Sequence, residues 1–229
     1  MAVTTEKRAL QVAIDGPAGA GKSTVARAVA ERLGLTYVDT GAMYRALAWA
    51  AVSQEIALTD TAAVCRLAES LEIKLERGRV FAGGRDVTAQ IRTPEISNLT
   101  SALSALPCVR KRLSALQREM GRRGGVVMEG RDIGTVVLPE AQVKVFLTAS
   151  GAERVRRRQA ELHAKGIALD TDALRADMAE RDARDAARET APMVAAPDAV
   201  HLDTDGLDAD AVTARIVALC RDVEARHGD

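Results

Sequence analysis

The strongest constraint on this chain is a glycine-rich loop near its start. Residues 16–23 read G-P-A-G-A-G-K-S, which satisfies the phosphate-loop pattern G-x-x-x-x-G-K-S/T. An apolar run, Leu10–Ile14, precedes the loop, and the apolar residues Val25, Val29 and Leu33 follow it at steps of four. This order of strand, loop and amphipathic helix is the setting in which such a loop binds phosphate. The sequence therefore predicts a binding site for a nucleoside triphosphate.

Each part of the loop has an expected role. Its backbone N–H groups can surround the phosphates, and Lys22 can reach the β- and γ-phosphates as a point charge. Ser23 is the expected Mg²⁺ ligand, with Thr24 as the alternative. The predicted ATP-binding residues are Gly16, Pro17, Ala18, Gly19, Ala20, Gly21, Lys22, Ser23 and Thr24.

Short apolar runs alternate with helical patterns along the rest of the chain. Four further runs are bounded by turn residues, as buried parallel strands are: Leu35–Val38, Val126–Met128, Val143–Leu147 and Val200–Leu202. The pattern predicts an α/β fold in which helices flank a five-stranded parallel sheet, in one domain over residues 1–229. Residues 71–92 depart from this pattern, because short alternating segments with glycine turns predict a small antiparallel hairpin or meander.

Composition excludes several classes of function. The 32 basic residues balance 32 acidic ones, so no bulk charge attracts nucleic acid or anionic lipid. Five aromatic residues are too few for base stacking along a single strand. The longest uncharged run, 96–109, is shorter than the roughly 18 residues of a membrane span, and the apolar stretch near the start is too short for a signal peptide. We therefore expect a cytoplasmic protein without a nucleic-acid or membrane partner.

The cysteines and histidines form no pattern that binds metal. Cys65, Cys108 and Cys220 are far apart in the sequence, and the three histidines are isolated from one another. A structural metal site needs clustered ligands, so none is predicted. The expectation is of three unpaired thiols in a reducing cytosol.

Arginine is frequent, with 26 arginines against six lysines, and its planar guanidinium suits the binding of phosphate. Four groups of residues lie where a ligand could bind. Three of them follow predicted strands, at the edge of the sheet: Thr40 with Arg45 follows the second strand, Arg131 with Asp132 follows the third strand, and residues 154–158 follow the fourth strand. The last group, Arg181, Asp185 and Arg188, lies on one face of a predicted helix. Solvated surface charge is the alternative for the last two groups. Together the groups predict a second anionic ligand beside the loop, as in a nucleoside monophosphate kinase.

Four runs taken together resemble bacterial cytidylate kinase: I-D-G-P-A-G-A-G-K-S-T, D-T-G-A-M-Y-R, E-G-R-D-I-G-T-V-V and R-D-x-R-D-x-x-R. The similarity extends from Ile14 to about Pro197. It implies the P-loop nucleoside monophosphate kinase fold, with a monophosphate-binding insert at about 62–100 and a short lid at about 151–169. It also implies transfer of the γ-phosphate of ATP to CMP or dCMP, with Mg²⁺, by a monomer.

The resemblance further implies a role for each matching side chain. Thr40, Arg110 and Asp132 would read the cytosine edge; Arg45, Arg131 and Arg188 would bind the acceptor phosphate; Ser101, Arg181 and Asp185 would hold the ribose; and Arg157 would neutralise the donor phosphates. The implied catalytic set is Lys22, Arg131, Arg157 and Arg188.

The residue types agree with discrimination between pyrimidines. The exocyclic amine of cytosine can donate to Asp132, whereas uracil presents a carbonyl oxygen there and is expected to bind less well. Two alternatives stay open at this point: a shikimate-type small-molecule kinase, and a nucleotide-dependent switch or binding module. The sequence lacks the Asn-Lys-x-Asp run of a GTPase, which disfavours the switch. The segment after the fourth strand is too short for the large lid of adenylate kinase.

Overall fold

The structure is a computed structural model, and it describes residues 9–76, 78–164, 166–167 and 170–226. The helices and strands follow one another in this order: β1 Gln11–Asp15, α1 Lys22–Leu33, β2 Thr36–Asp39, α2 Thr40–Ser53, α3 Thr61–Ser70, β3 Ile73–Glu76, β4 Arg79–Ala82, β5 Arg85–Asp86, α4 Pro94–Leu103, α5 Pro107–Gly121, β6 Val126–Glu129, β7 Val143–Thr148, α6 Gly151–Ala164, α7 Thr171–Ala186, β8 Val200–Asp203 and α8 Ala209–Arg226.

Five of the strands form a parallel sheet in the order β2-β6-β1-β7-β8. The central strand β1 is buried along its whole length, which explains why its middle residues, 12–14, are all apolar and do not alternate with polar ones. The predicted five-stranded parallel sheet is confirmed. Each observed strand ends one residue beyond the predicted run, because its last residue is polar. Two strands, β1 and β2, also begin one residue later than predicted, whereas the other three begin where predicted.

Helices cover both faces of this sheet. On one face, apolar residues of α1 and α8 pack against β1, β6 and β7. The other face packs against the π-helical turn Ile133–Val137 and against Met120 of α5. The longest helix, α8, buries one apolar stripe that includes Ile216 and Cys220. In the part of the chain that the structure describes, no helix combines the length and the apolar character needed to span a membrane.

A second core lies beside the sheet and is built around α2. Its buried face is rich in alanine, so that neighbouring elements can approach the helix closely. Helices α3, α4 and α5 pack against it, together with a small antiparallel sheet of β3, β4 and β5. In that sheet Ile73 pairs with Ala82 and Phe81 pairs with Asp86. The predicted antiparallel hairpin or meander is therefore confirmed.

The prediction of three unpaired thiols is wrong for two of them. Cys65 on α3 and Cys108 at the start of α5 form a disulfide, whereas Cys220 is a free, buried cysteine. The partners are 43 residues apart in the sequence, and only the packing of α3 against α5 brings them together. No local sequence pattern predicts such a pair of cysteines.

We predict that this disulfide contributes measurably to stability. Closing a loop of 43 residues reduces the entropy of the unfolded chain, which corresponds to about 4 kcal/mol of unfolding free energy. Cys65→Ser should therefore lower the urea midpoint, and dithiothreitol should lower the midpoint of the wild type to a similar value. The double variant Cys65→Ser with Cys108→Ser is the control and should not respond to dithiothreitol. A wild-type midpoint that is the same with and without reductant would contradict the prediction.

Candidate functional site

The five parallel strands all end at one edge of the sheet, and a cavity of about 450 Å³ opens there. The phosphate loop lines this cavity together with residues of α4, α5 and α7, and α7 contacts the loop, because Asp182 accepts from the backbone N–H of Ala18. Its walls carry eight cationic and six acidic side chains. The cationic ones are Lys22, Arg45, Arg92, Arg110, Arg131, Arg158, Arg181 and Arg188. A cavity with this excess of positive charge is suited to anionic ligands.

The phosphate loop is held in a conformation that requires glycine. Gly16, Gly19 and Gly21 have φ angles of 142°, 77° and 89°, in a region that side chains rarely adopt. The loop leads into the N-terminus of α1, where backbone N–H groups and the helix dipole favour a negative charge. Nζ of Lys22 donates to the carbonyl of Pro17 at 2.7 Å, so the lysine folds back over its own loop.

Lys22 lies in a buried, positively charged environment. Burial, and then the nearby guanidinium of Arg131, lower the pKa of Lys22 to about 7. A polyphosphate at the loop would oppose both effects and favour the charged ammonium. The side chain is therefore placed to gain a full positive charge when an anion binds.

Asp15 connects the phosphate loop to the segment that follows β6. Its two carboxylate oxygens accept hydrogen bonds from the backbone N–H groups of Ile133 and Gly134, each at 2.8 Å. Burial raises the pKa of Asp15 to about 6, even though these two bonds act to lower it. Asp15 has no role among the sequence predictions. The signal was an acidic residue that directly follows three apolar residues and directly precedes the phosphate loop.

A buried ion pair forms part of the cavity wall. Nη2 of Arg110 donates to Oδ2 of Asp132 at 2.5 Å, and both side chains are almost fully buried. The ring of Tyr44 lies 5.6 Å from the guanidinium carbon of Arg110, which adds a cation–π contact. Thr40 lies nearby, and its hydroxyl donates to the backbone carbonyl of Glu129 at 2.6 Å. The three residues predicted to read the base thus line one region of the cavity.

A second carboxylate, Asp185, binds two of the predicted phosphate-binding arginines. Nε of Arg131 donates to it at 3.0 Å, and Arg188 pairs with its other oxygen. Arg188 also donates to the hydroxyl of Ser104 at 2.8 Å. Burial acts to raise the pKa of Asp185, but the two guanidiniums hold it below its usual range. Both arginines are therefore fixed in place before any ligand binds.

Two of the predicted ribose-binding residues have polar atoms without partners. Among the described residues, neither the buried hydroxyl of Ser101 nor Nε of Arg181 has a hydrogen-bond partner, although both side chains line the cavity. Burial and the neighbouring Arg131 lower the pKa of Arg181 to about 10. Buried polar atoms usually find partners, so these are donors that a polar ligand could satisfy.

The arginines of α6 occupy two different places. Arg158 lines the cavity. Arg157 does not; it donates to the carbonyl and the hydroxyl of Thr204, at 2.7 and 2.8 Å, beyond the end of β8. A Cβ atom placed on Gly21 would lie 3.7 Å from Nη1 of Arg157, so this arginine flanks the phosphate loop from the outside. Arg154 contacts the loop directly, because its Nη1 donates to the carbonyl of Ala18 at 3.2 Å.

Glu129 is a further buried carboxylate that the sequence analysis did not assign. It ends β6 and accepts a hydrogen bond from the hydroxyl of Tyr37 at 2.6 Å. Burial, and then the nearby charge of Asp39, raise its pKa, while Ser23 and Lys22 act in the opposite direction. Glu129 and Ser23 both line the cavity, so two oxygen donors of the kind that Mg²⁺ prefers lie beside the loop. Within the described ranges, no group of three or more His, Cys, Asp or Glu could hold a metal by itself.

Most of the predicted site residues line the one cavity. Those that line it are Ala18, Gly19, Lys22, Ser23, Thr40, Arg45, Ser101, Arg110, Arg131, Asp132, Arg181, Asp185 and Arg188. The others lie outside its wall: Gly16, Pro17, Ala20, Gly21, Thr24 and Arg157. Thr24 is exposed on α1 and faces a shallow surface depression together with Ser23. Ser23 is therefore the hydroxyl of the two that reaches the cavity.

The profile of the family described as cytidylate kinase matches residues 12–222. This chain belongs to the cytidylate kinase family. Two curated cytidylate kinases are each 51% identical to it. The protein from Desulfitobacterium hafniense aligns over 94% of both chains, and the one from Lactiplantibacillus plantarum aligns over 93% of this chain and 95% of its own.

A solved structure supports the fold independently. A protein of uncharacterised function from Eubacterium ventriosum superposes with a TM-score of 0.52 over 94% of this chain, at 12% sequence identity. Membership of the cytidylate kinase family does not favour the two alternatives that the sequence left open, the shikimate-type kinase and the nucleotide-dependent switch.

We predict that the first glycine of the loop cannot be replaced. A Cβ atom on Gly16 would lie 2.1 Å from the carbonyl oxygen of Leu147, which belongs to the paired strand β7 and cannot move away. Gly16→Ala should cost about 3 kcal/mol or more of unfolding free energy. Gly34→Ala is the matched control, because Gly34 has a φ of 64° and nothing within 4 Å, and should cost only about 1–2 kcal/mol. Urea unfolding measures both, and equal costs would contradict the prediction.

Proposed function

We propose that this protein transfers the γ-phosphate of ATP to CMP or dCMP, giving CDP or dCDP plus ADP. One observation carries the proposal: a single cavity joins a complete phosphate loop to the buried Arg110–Asp132 pair and to a group of arginines held by carboxylates. The curated relatives of the same length are named cytidylate kinases, which is the activity expected of this arrangement.

The donor end of the cavity would bind the triphosphate. The backbone N–H groups of the loop, which Pro17 lacks, and the ammonium of Lys22 would surround the β- and γ-phosphates. The hydroxyl of Ser23 would be a ligand of Mg²⁺, which supplies charge neutralisation to the phosphates when it is bound. Glu129, beside Ser23, would orient the water ligands of the ion.

The base end of the cavity would select cytosine. Asp132 is fixed by Arg110 and keeps oxygen lone pairs that can accept from the exocyclic amine of the base. Arg110 would donate to the ring carbonyl, and the hydroxyl of Thr40 would complete the contact. Uracil would place its carbonyl oxygen against Asp132, which is a repulsive contact in a desolvated site.

The sugar and the acceptor phosphate would lie between these two ends. Arg45, Arg131 and Arg188 would bind the phosphate, and Ser101, Arg181 and Asp185 would bind the ribose. The unpartnered hydroxyl of Ser101 and Nε of Arg181 support the ribose assignment, because a sugar hydroxyl would give each a partner.

The reaction would be a direct in-line displacement. An oxygen of the CMP phosphate attacks the γ-phosphorus, the bond to the bridging oxygen of ADP breaks, and no protein nucleophile takes part. Catalysis would come from positioning and from neutralising the developing charge with Lys22, Arg131 and Arg188. Arg157 would assist from the outer side of the loop once its bonds to Thr204 are exchanged.

Two segments of the single domain would move in the reaction. We propose residues 62–100 as the acceptor-binding insert and residues 151–169 as a lid that excludes water from the γ-phosphate. Positions 165, 168 and 169 of the lid lie outside the described residues. The substrates are small nucleotides, so a monomer in the cytoplasm, with no nucleic-acid or membrane partner, would suffice for this function.

Replacement of the loop lysine tests the proposed chemistry. Lys22→Met removes the charge that would stabilise the transferring phosphoryl group, so turnover with MgATP and CMP should fall by about 100-fold or more. The affinity for CMP alone, measured by calorimetry, should change by less than about threefold. Lys111→Met, on the exposed face of α5, is the control and should turn over normally. Near-normal turnover of Lys22→Met would overturn the proposed role.

A second prediction concerns the choice of base. Asp132→Asn keeps an acceptor for Arg110 but adds an amide that can donate to uracil, so the ratio of kcat/KM for CMP over UMP should fall by about 10-fold or more. Asp177→Asn makes the same charge change on the wall of the same cavity and should leave the ratio unchanged. An unaltered ratio in Asp132→Asn would mean that the base is selected elsewhere.

A further inference from the structure

Asp132 stands at the start of a helical turn but does not cap it. It directly precedes the π-helical turn Ile133–Val137, and its backbone carbonyl accepts from the N–H groups of Val136 and Val137 at 2.9 and 3.2 Å. An aspartate in this position usually accepts, through its side chain, from the free N–H groups of the first turn. Among the described residues the side chain of Asp132 makes no such bond, and its Oδ2 accepts from Arg110 instead.

Other aspartates of this chain show the usual behaviour. Asp39, Asp60 and Asp170 precede α2, α3 and α7, and each accepts through its side chain from the backbone N–H three residues further along. Their ψ angles are 93°, 77° and 136°, whereas the ψ angle of Asp132 is 26°. The backbone of Asp132 therefore lacks the extended conformation in which an aspartate caps its own helix.

Asp15 supplies the missing cap from the neighbouring strand β1. Its Oδ1 accepts from the N–H of Ile133 and its Oδ2 accepts from the N–H of Gly134, each at 2.8 Å. These are the first two N–H groups of the turn, which have no partner within it, and both residues are buried. Asp15 is itself buried and does not line the cavity, so it acts on the turn and not on a ligand.

Two sets of donors compete for the carboxylate at position 132. One set is the guanidinium of Arg110 together with a ligand in the cavity, and the other is the buried N–H groups of the turn. Because Asp15 satisfies the N–H groups, the carboxylate of Asp132 is left for Arg110 and keeps lone pairs for a ligand. Without the carboxylate of Asp15, the buried N–H groups would either draw Asp132 towards them or shift the turn that follows it.

We propose that Asp15 is a positioning residue for base selection: it caps the turn after β6 in place of Asp132 and thereby leaves Asp132 free to read the base. This inference rests on the proposed function, since it assumes that Asp132 accepts from the exocyclic amine of cytosine. The two aspartates then have separate roles, because Asp132 contacts the base whereas Asp15 acts on selectivity only through Asp132.

The test is the selectivity of Asp15→Asn. The amide keeps the size of the side chain but has one acceptor oxygen, and its NH₂ group faces the second backbone N–H, so one capping bond is lost. With kcat and KM measured for CMP and UMP at saturating MgATP, we expect the ratio of kcat/KM for CMP over UMP to fall by about fivefold or more. A changed affinity for ATP affects both acceptors alike and cancels in this ratio.

A control and a second variant accompany this measurement. Asp60→Asn makes the same substitution at the start of α3, away from the cavity wall, and should leave the ratio unchanged. Urea unfolding shows whether each variant is folded. Asp15→Ala removes both acceptor oxygens without adding a donor, and it should lower the ratio in the same way if Asp15→Asn does not fold.

A double variant separates positioning from a general structural effect. Asp132→Asn removes the carboxylate that Asp15 is proposed to leave free. Adding Asp15→Asn to Asp132→Asn should therefore change the ratio for CMP over UMP by less than about twofold, even if it lowers kcat. Reductions of the ratio that multiply in the double variant would show that Asp15 acts on the base by another route, which would overturn the inference.

The remaining outcomes distinguish this inference from the proposed function. An unchanged ratio in a folded Asp15→Asn, together with a reduced ratio in Asp132→Asn, would overturn the role of Asp15 and leave the proposed base site intact. An unchanged ratio in Asp132→Asn itself would reject the base site and, with it, the role of Asp15. A wild type that does not phosphorylate CMP would reject the proposed function as a whole.

Discussion

The carboxylate of Asp15 joins the two halves of the site. It immediately precedes the phosphate loop, and it accepts the backbone N–H groups of Ile133 and Gly134, which immediately follow Asp132. The phosphate loop and the segment that carries Asp132 are thus fixed to one buried group. An unsatisfied buried N–H costs about 1–3 kcal/mol, so these two hydrogen bonds hold the segment after Asp132 at the end of β1.

The remaining geometry depends on carboxylates that hold arginines in place. Three carboxylates bind five arginines: Asp185 binds Arg131 and Arg188, Asp132 binds Arg110, and Asp39 binds Arg45 and Arg92. A guanidinium is always charged, and a charged group is costly to bury without a partner. Each of these arginines therefore needs its carboxylate. The result is a set of donors that face the cavity before the ligand arrives. Phosphoryl transfer benefits from such preorganised charge because it requires little covalent chemistry.

Local patterns in the sequence predict the sheet, the phosphate loop and many of the charged side chains of the cavity wall. Each strand such as Val126–Glu129 carries its own apolar run, and the residues that follow parallel strands must meet at one edge. The Cys65–Cys108 disulfide, the anchoring role of Asp15 and the contact of Arg92 with Asp39 could not be predicted. Each of them joins segments that only tertiary packing brings together, and the spacing of these residues in the sequence matches no motif.

The most direct test is ADP release from MgATP in the presence of CMP, dCMP, UMP, AMP, GMP or shikimate, one at a time. We predict that kcat/KM for CMP and dCMP exceeds that for every other acceptor by about 100-fold or more, because in the proposed base site Asp132 accepts from the exocyclic amine of cytosine while Arg110 donates to its ring carbonyl. A preference for shikimate, equal turnover of UMP and CMP, or no acceptor-dependent turnover at all would contradict it.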